Sequence, residues 1–358
     1  MPSLKEIKGR INSISSTLAI TSAMKMVAAA KLQKAQMAIQ NMLPYERRLH
    51  SMLIDLMGAM NISAAASEDG SVRGSGSAER GFDQSGDRLS LSNRHDLAGM
   101  DGAYSLMAQR EVRKVAIVAF ASNSSLCGAF NSNAIREATA VINEYRASGL
   151  GDADITVYSV GRKMAEAMKK LGFPSPADFT KMSDSPSYDA ASALAQELFD
   201  GFVSGRFDKV ELVYNHYKST SSQPTTRQTY LPLSLADATA DLQAGKLADS
   251  ASESDTNRGA EPVGAPVVRQ GSPTTEDLIV EPSKEALIAT LLPKVIRLRI
   301  FTTLLDSAAA EHAARTVAMQ LATDNGNDLL QELTLEYNKG RQQKITSEIL
   351  DLVGGSLQ

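Results

Sequence analysis

The sequence predicts an α/β protein in which a long antiparallel coiled coil of the N- and C-terminal helices carries a small, open, mainly parallel α/β domain. Three observations predict it. The N-terminus holds an apolar heptad repeat, the C-terminus is helical in pattern with no proline after Pro293, and between them strands alternate with helices.

Taking every third and fourth residue in turn from Leu4 gives Leu4, Ile7, Ile11, Ile14, Leu18, Thr21, Lys25, Ala28, Leu32, Ala35, Ile39 and Met42. Only Thr21 and Lys25 interrupt the apolar stripe. A strict repeat of seven implies a left-handed supercoil with a second helix. Such a stripe alone cannot offset the entropy of ordering so long a segment, so a partner helix is required. Leu49, Leu53, Leu56 and Met60 carry the register past Pro44, which is expected to kink the helix rather than end it. The N-terminal shaft helix is therefore assigned to 1–60. At 1.5 Å rise it spans roughly 80 Å.

Residues 61–110 are rich in Gly, Ser and Asp and read as a low-complexity insertion, with a short helix expected near 97–109. The central α/β domain is assigned to 111–236. The continuous apolar run at 112–120 suits a strand buried on both faces, and 122–131 is a turn leading into a helix to about 148. A strand at 153–161, a helix at 162–171, a helix at 187–204 after Pro186, and strands at 209–219 and 225–234 with Pro224 between them complete it. A second low-complexity insertion covers 237–277, and the C-terminal shaft helix covers 283–358. Pro293 is expected to bend or delay its start. Ala308, Ala309, Ala310, Ala313, Ala314, Ala318, Ala322 and Gly326 would allow close helix approach. The stripe expected to face the first helix runs Leu305, Ala308/Ala309, His312, Thr316, Met319, Ala322/Thr323, Leu330, Leu333, Tyr337.

Composition agrees with long helices: aromatics are 5%, tryptophan is absent and there are 14 methionines. A formal net charge of −4 argues against a generally basic nucleic-acid binder. Residues 1–40 nevertheless carry Lys5, Lys8, Arg10, Lys25, Lys31 and Lys34 against Glu6 alone, either a solvated face or a stripe that meets an acidic partner. Cys127 is the single cysteine, which fits a reducing compartment. No signal peptide is read at the N-terminus, and the apolar stretch 288–301 is too short and too charged to span a bilayer.

Catalytic and cofactor patterns are missing from the sequence. No Gly-x4-Gly-Lys-Ser/Thr loop occurs, and the first strand–turn–helix unit carries only Gly128, so the expectation is a Rossmann-like topology without a nucleotide site and no cofactor. His50, His95, His216 and His312 lie at no metal-ligand spacing. His312 reads as a helix-packing or partner-facing residue. Cys127 could be a thiol nucleophile, but no base suggests itself nearby, and a small buried side chain fits it better.

Three stretches together resemble one family. LKEIKGRINSISSTLAITSAMKMVAAAKLQKAQ (4–36) is similar to the opening of the γ subunit of F-type ATP synthases. SLCGAFN (125–131) resembles that family's central signature, and 311–355 its C-terminal signature. The antiparallel pairing of the terminal helices also matches. Ser122-Asn123-Ser124-Ser125 departs from the Ser-Asp-Arg-Gly common before Leu-Cys-Gly, and both insertions exceed the usual length. The regulatory cysteine pair of the chloroplast members cannot form here.

The resemblance implies a non-catalytic rotor shaft of the F1 sector, turning inside an α3β3 ring and coupling proton flow through Fo to conformational cycling of the β subunits, and regulating ATPase activity. It implies the ε subunit and the Fo c-ring as partners at the foot, no nucleic acid, and membrane association only through the complex, at the cytoplasmic face of a bacterial inner membrane. It implies partner contacts at Met24, Lys25 and Arg315, with Arg315 across the coil from the other two, and at Arg341, Gln342, Thr346 and Glu348 higher in the ring. Two other readings of the residues stay open: a coiled-coil scaffold or assembly protein unrelated to rotation, and a small-molecule enzyme with Cys127 as nucleophile.

Overall fold

In the computed structural model, the described residues are 3–59, 106, 110–233 and 284–355. Most of both low-complexity insertions, and the short helix expected near 97–109, lie outside them. The described elements are α1 (Leu4–Ala59), β1 (Val115–Phe120), α2 (Phe130–Ala147), β2 (Ile155–Val160), α3 (Arg162–Lys170), α4 (Thr180–Asp184), α5 (Tyr188–Val203), β3 (Lys209–Asn215), β4 (Thr225–Leu231) and α6 (Lys284–Gly355).

α1 and α6 run antiparallel, with Leu4 opposite Gly340 and Leu18 opposite Gly326. All twelve stripe positions from Leu4 to Met42 are buried or half-buried, while most of their neighbours are exposed. The two residues that break the stripe make polar links across the coil. The Thr21 and Thr323 hydroxyls are 3.2 Å apart, and Lys25 Nζ donates to Gln320 Oε1 at 2.8 Å. The helices approach closely where glycine faces leucine. A Cβ on Gly326 would stand 2.6 Å from Leu18 Cδ2, and one on Gly340 would stand 3.1 Å from Leu4 Cδ2. Leu4 and Leu18 lie two heptads apart, as do Gly326 and Gly340, so the register holds without slipping. Thr323, not Ala322, occupies the seam.

Both helices continue through their prolines, Pro44 and Pro293. At 1.5 Å per residue, α6 is roughly 110 Å long against about 80 Å for α1. α6 therefore overruns the start of α1, and every residue from 341 to 350 is exposed.

The sheet has the order β2-β1-β3-β4, with β1 parallel to β2 and β3, and β4 antiparallel to β3. Alternate residues of β1 feed two cores. Val115, Ile117 and Ala119 pack with Val141, Ile142 and Tyr145 of α2 and Met164 and Met168 of α3. Ala116, Val118 and Phe120 join Leu194, Leu198 and Phe202 of α5 and Ile288, Leu292, Val295, Ile296, Ile300 and Leu304 of α6. That two-sided burial accounts for the unbroken apolar run of β1. The first half of α6 is thus a layer of the α/β domain, and its second half is a strand of the coil.

Gly326→Val is expected to lower stability by about 1–3 kcal/mol, because a branched side chain must displace Leu18. Gly326→Ala puts its Cβ against Leu18 Cδ2 at 2.6 Å and Cγ at 3.1 Å, but it needs a smaller shift than valine and gains about 1 kcal/mol of helix propensity, so its loss should be clearly the smaller. Urea unfolding midpoints of the two variants check this, and equal losses would mean the close approach is not what matters.

Candidate interface at the strand ends and along the coil

In an open α/β sheet, ligands bind outside the carboxyl ends of the strands, where the strand order reverses. Here that point lies between β1 and β3, and α6 fills it. Ala310 packs against Cys127 and Phe130, and Ala309 and Ala313 pack against Leu32 with Tyr217 beside them. A Cβ on Gly128 would be 3.8 Å from Ala318 Cβ. The run of alanines lets a helix backbone sit where a ligand would otherwise go. Cys127 is buried.

Two polar clasps hold α6 there. The first is Arg315, only 8% exposed. It donates to the Ser125 carbonyl at 2.6 Å, to Ser124 Oγ at 2.8 Å and to Glu311 Oε1 at 2.7 Å. Burial pushes the Glu311 carboxyl above its ordinary pKa; the bond from Arg315 opposes that shift and Asp184 adds to it. The second clasp is Asp306, which accepts the Tyr217 backbone N–H at 2.9 Å and faces His216 Nδ1 at 2.6 Å. Tyr217 Oη in turn accepts from Gln36 Nε2 of α1 at 2.6 Å. Each clasp thus ends on the chain just beyond a strand of the sheet.

The turn that Arg315 grips is itself strained. Leu126 has φ of 70° and Gly128 of 59°, both left-handed. A non-glycine residue there costs about 1–2 kcal/mol. Asn131 Nδ2 donates to the Ser124 carbonyl at 3.1 Å and its Oδ1 accepts the Ser122 N–H at 3.0 Å, fixing the turn from within. The result presents Leu126 outward, 58% exposed. Beside it opens a cleft of about 200 Å³, lined by Met24, Val27, Ala28 and Lys31 of α1, Ser124, Ser183 and Asp184, and Glu311, His312 and Arg315 of α6. His312 Nδ1 is buried in it without a hydrogen-bond partner. Burial, with Lys31 and Arg315 nearby, lowers the His312 pKa to about 4, so the ring is neutral.

The seven residues expected at partner contacts fall into two groups. Met24 lines the cleft, Lys25 spans the coil to Gln320, and Arg315 lies across the same cleft from Met24. The Arg315 guanidinium is also held by acceptors of its own chain. Arg341, Gln342, Thr346 and Glu348 are exposed on the overrun of α6, roughly 40 Å farther along. There Thr346 Oγ1 donates to the Gln342 carbonyl at 2.9 Å and Lys344 lies 3.7 Å from Glu348. Sequence reasoning missed the Glu311–Arg315 pair, although its four-residue spacing is a recognised helix signal. It also missed Asp306, whose partners are far away in the chain.

Among the described residues, no group of three or more His, Cys, Asp or Glu side chains could hold a metal ion, and no helix is long and apolar enough to cross a membrane. The arrangement offers a long exposed surface with polar and apolar contacts, centred on a domain braced against one end.

A family model described as ATP synthase matches residues 3–357. The chain is 46% identical over 357 residues to the ATP synthase gamma chain of Phocaeicola vulgatus, covering 100% of both chains. It is 45% identical over 358 residues to the ATP synthase gamma chain of Bacteroides thetaiotaomicron, again covering 100% of both. Its fold is similar to a chain in the structure of the Euglena gracilis mitochondrial ATP synthase, OSCP/F1/c-ring, with a TM-score of 0.51 and 18% identity, covering 98% of this chain and 92% of that one.

Proposed function

The chain belongs to the ATP synthase gamma-chain family, and from that premise we propose that it works as the rotor shaft of the F1 sector. The α1–α6 coil stands inside a ring of three α and three β subunits, and its asymmetry drives the β sites through their conformations in turn. Proton flow through the Fo c-ring supplies the rotation, and the same shaft sets how readily the complex hydrolyses ATP. The α/β domain forms the foot with the ε subunit and the c-ring, on the cytoplasmic face of the inner membrane. The nucleotide chemistry belongs to β, and this chain is non-catalytic. The division into 1–60, 61–110, 111–236, 237–277 and 283–358 is part of this reading.

The observation that carries the proposal is the overrun of α6. Ile345, Ile349, Leu350 and Leu352 are all exposed on a helix that α1 no longer accompanies. Apolar side chains on a lone helix call for an enclosing sleeve. On the coil below, Ile20, Met26, Val27, Val317 and Leu321 are exposed among charged residues. Contacts of that kind are weak and distributed, since exposed ion pairs contribute about 0–1 kcal/mol each. They give a surface that bears force without locking at one angle. Met24, Lys25, Arg315, Arg341, Gln342, Thr346 and Glu348 are proposed to meet the ring, and Arg315 also holds the turn that presents Leu126.

Co-expression with the α and β chains of the same enzyme tests the proposal. The expected product is a complex of three α, three β and one copy of this chain, whose ATP hydrolysis turns a probe attached to the α/β domain. A stable homodimer with no affinity for α and β would instead support the scaffold reading.

A further inference from the structure

The second clasp differs in kind from the first. Arg315 is buried, whereas His216 is half exposed and is the side-chain type used as a switch around physiological pH. Asp306 reaches from α6 with one carboxylate oxygen on the His216 ring and the other on the Tyr217 N–H. The His216 N–H donates to the Pro224 carbonyl at 2.9 Å, which fixes the ring's backbone to the turn before β4. Tyr217 then passes the connection to α1 through Gln36. This one carboxylate therefore ties together the end of β3, α6 and, through Tyr217, α1.

The charged groups facing His216 are Asp306 from α6 and Lys218 from its own segment. Among the described residues, α1 enters this array through the neutral Gln36. The bond to Asp306 raises the His216 pKa against burial, and Lys218 opposes it.

We propose that His216 and Asp306 form a pH-responsive latch between the sheet and the shaft helix, closed by a proton on His216 and loosened when that proton leaves. A protonated ring gives Asp306 a charge-assisted bond, the stronger class. A neutral ring keeps a donor at Nδ1 in only one of its two tautomers, so the latch slackens without opening. The sign follows from the raised pKa. The tie is complete below the ordinary histidine value of 6.5 and weakens as pH rises through the folded value above it. In a shaft, this makes the grip of the domain on the coil a function of the pH around it.

Hydrogen exchange of the assembled complex tests the latch on the peptide that contains Tyr217, with rates corrected for intrinsic exchange, from about pH 6 to about pH 8.5. Protection of that peptide is expected to fall about three- to tenfold across the range in the unmodified protein. His216→Lys should keep it high and flat, His216→Asn low and flat, and Asp306→Asn low throughout. The β2 peptide, separated from β3 by β1, serves as the control for general unfolding and should not change. The same pH profile in the unmodified chain and in His216→Asn would overturn the proposal, as would a flat profile in both.

Discussion

Arg315→Ala is expected to cost about 3–5 kcal/mol of stability, because it leaves a buried carboxylate and two acceptors of a strained turn without their donor. The pH dependence of the loss identifies its origin. Glu311 already has a raised pKa from burial, and Arg315 is the first influence that holds it down. Removing Arg315 raises the folded pKa further. A raised carboxylate gives stability that is complete below its unfolded value and lost as pH rises through the folded one. The deficit of Arg315→Ala should therefore be largest at neutral and alkaline pH and shrink on acidification toward 4.5. Arg315→Ala combined with Glu311→Gln should recover part of it at pH 7 and flatten the profile. The turn would lose its grip on α6, so ATP-driven rotation should fall more than assembly does. Urea denaturation at several pH values, beside hydrolysis and rotation assays, checks both parts. A pH-independent deficit would exclude the buried carboxylate as its cause.

Glu211→Ala should destabilise the domain by about 3 kcal/mol, with the opposite pH signature. Glu211 is 1% exposed on β3 and takes Tyr145 Oη at 2.6 Å, Arg227 Nε at 2.7 Å and Lys209 Nζ at 2.7 Å. Burial alone would raise its pKa, but the bonds from Arg227, Lys209 and Tyr145 outweigh burial and lower it. Its contribution is present above the unfolded value of 4.5 and fades as pH falls through the folded one. The gap between the unmodified chain and Glu211→Ala should hence close on acidification below about 4.5, while the shaft pairing stays intact. Arg227 and Lys209 are each 27% exposed in their side chains and can turn partly to water, which keeps the loss at the lower end of the range for broken buried pairs. Arg227 also retains Glu144. Thermal unfolding across pH measures the gap.

How much of this was legible in the sequence depends on range. The heptad register was readable residue by residue, because a seven-residue period needs only local information. Even its breaks carried meaning, since Thr21 and Lys25 bond across the coil. The antiparallel sense of β4 was also there to be read. Only nine residues separate Asn215 from Thr225, too few for a parallel crossover. α4 was missed, having five residues and no room for a helical period. The long-range bonds of the clasps were not readable. Ser125 and Arg315 stand 190 positions apart, and no local pattern pairs them. The same holds for the filled strand ends: an alanine run says that something packs closely, not what.

α6 begins as a layer beneath the sheet, becomes one of two wound helices, and finishes alone, with no interruption between these roles. Its resistance to twisting must therefore drop in steps along its length, greatest where the sheet and α5 confine it and least where it is solitary. A load applied at the base reaches the tip through progressively softer material, so deformation gathers at the far end and leaves the braced end nearly still. The molecule is built as a graded torsion spring, with its compliance set by how many neighbours each stretch of one helix has.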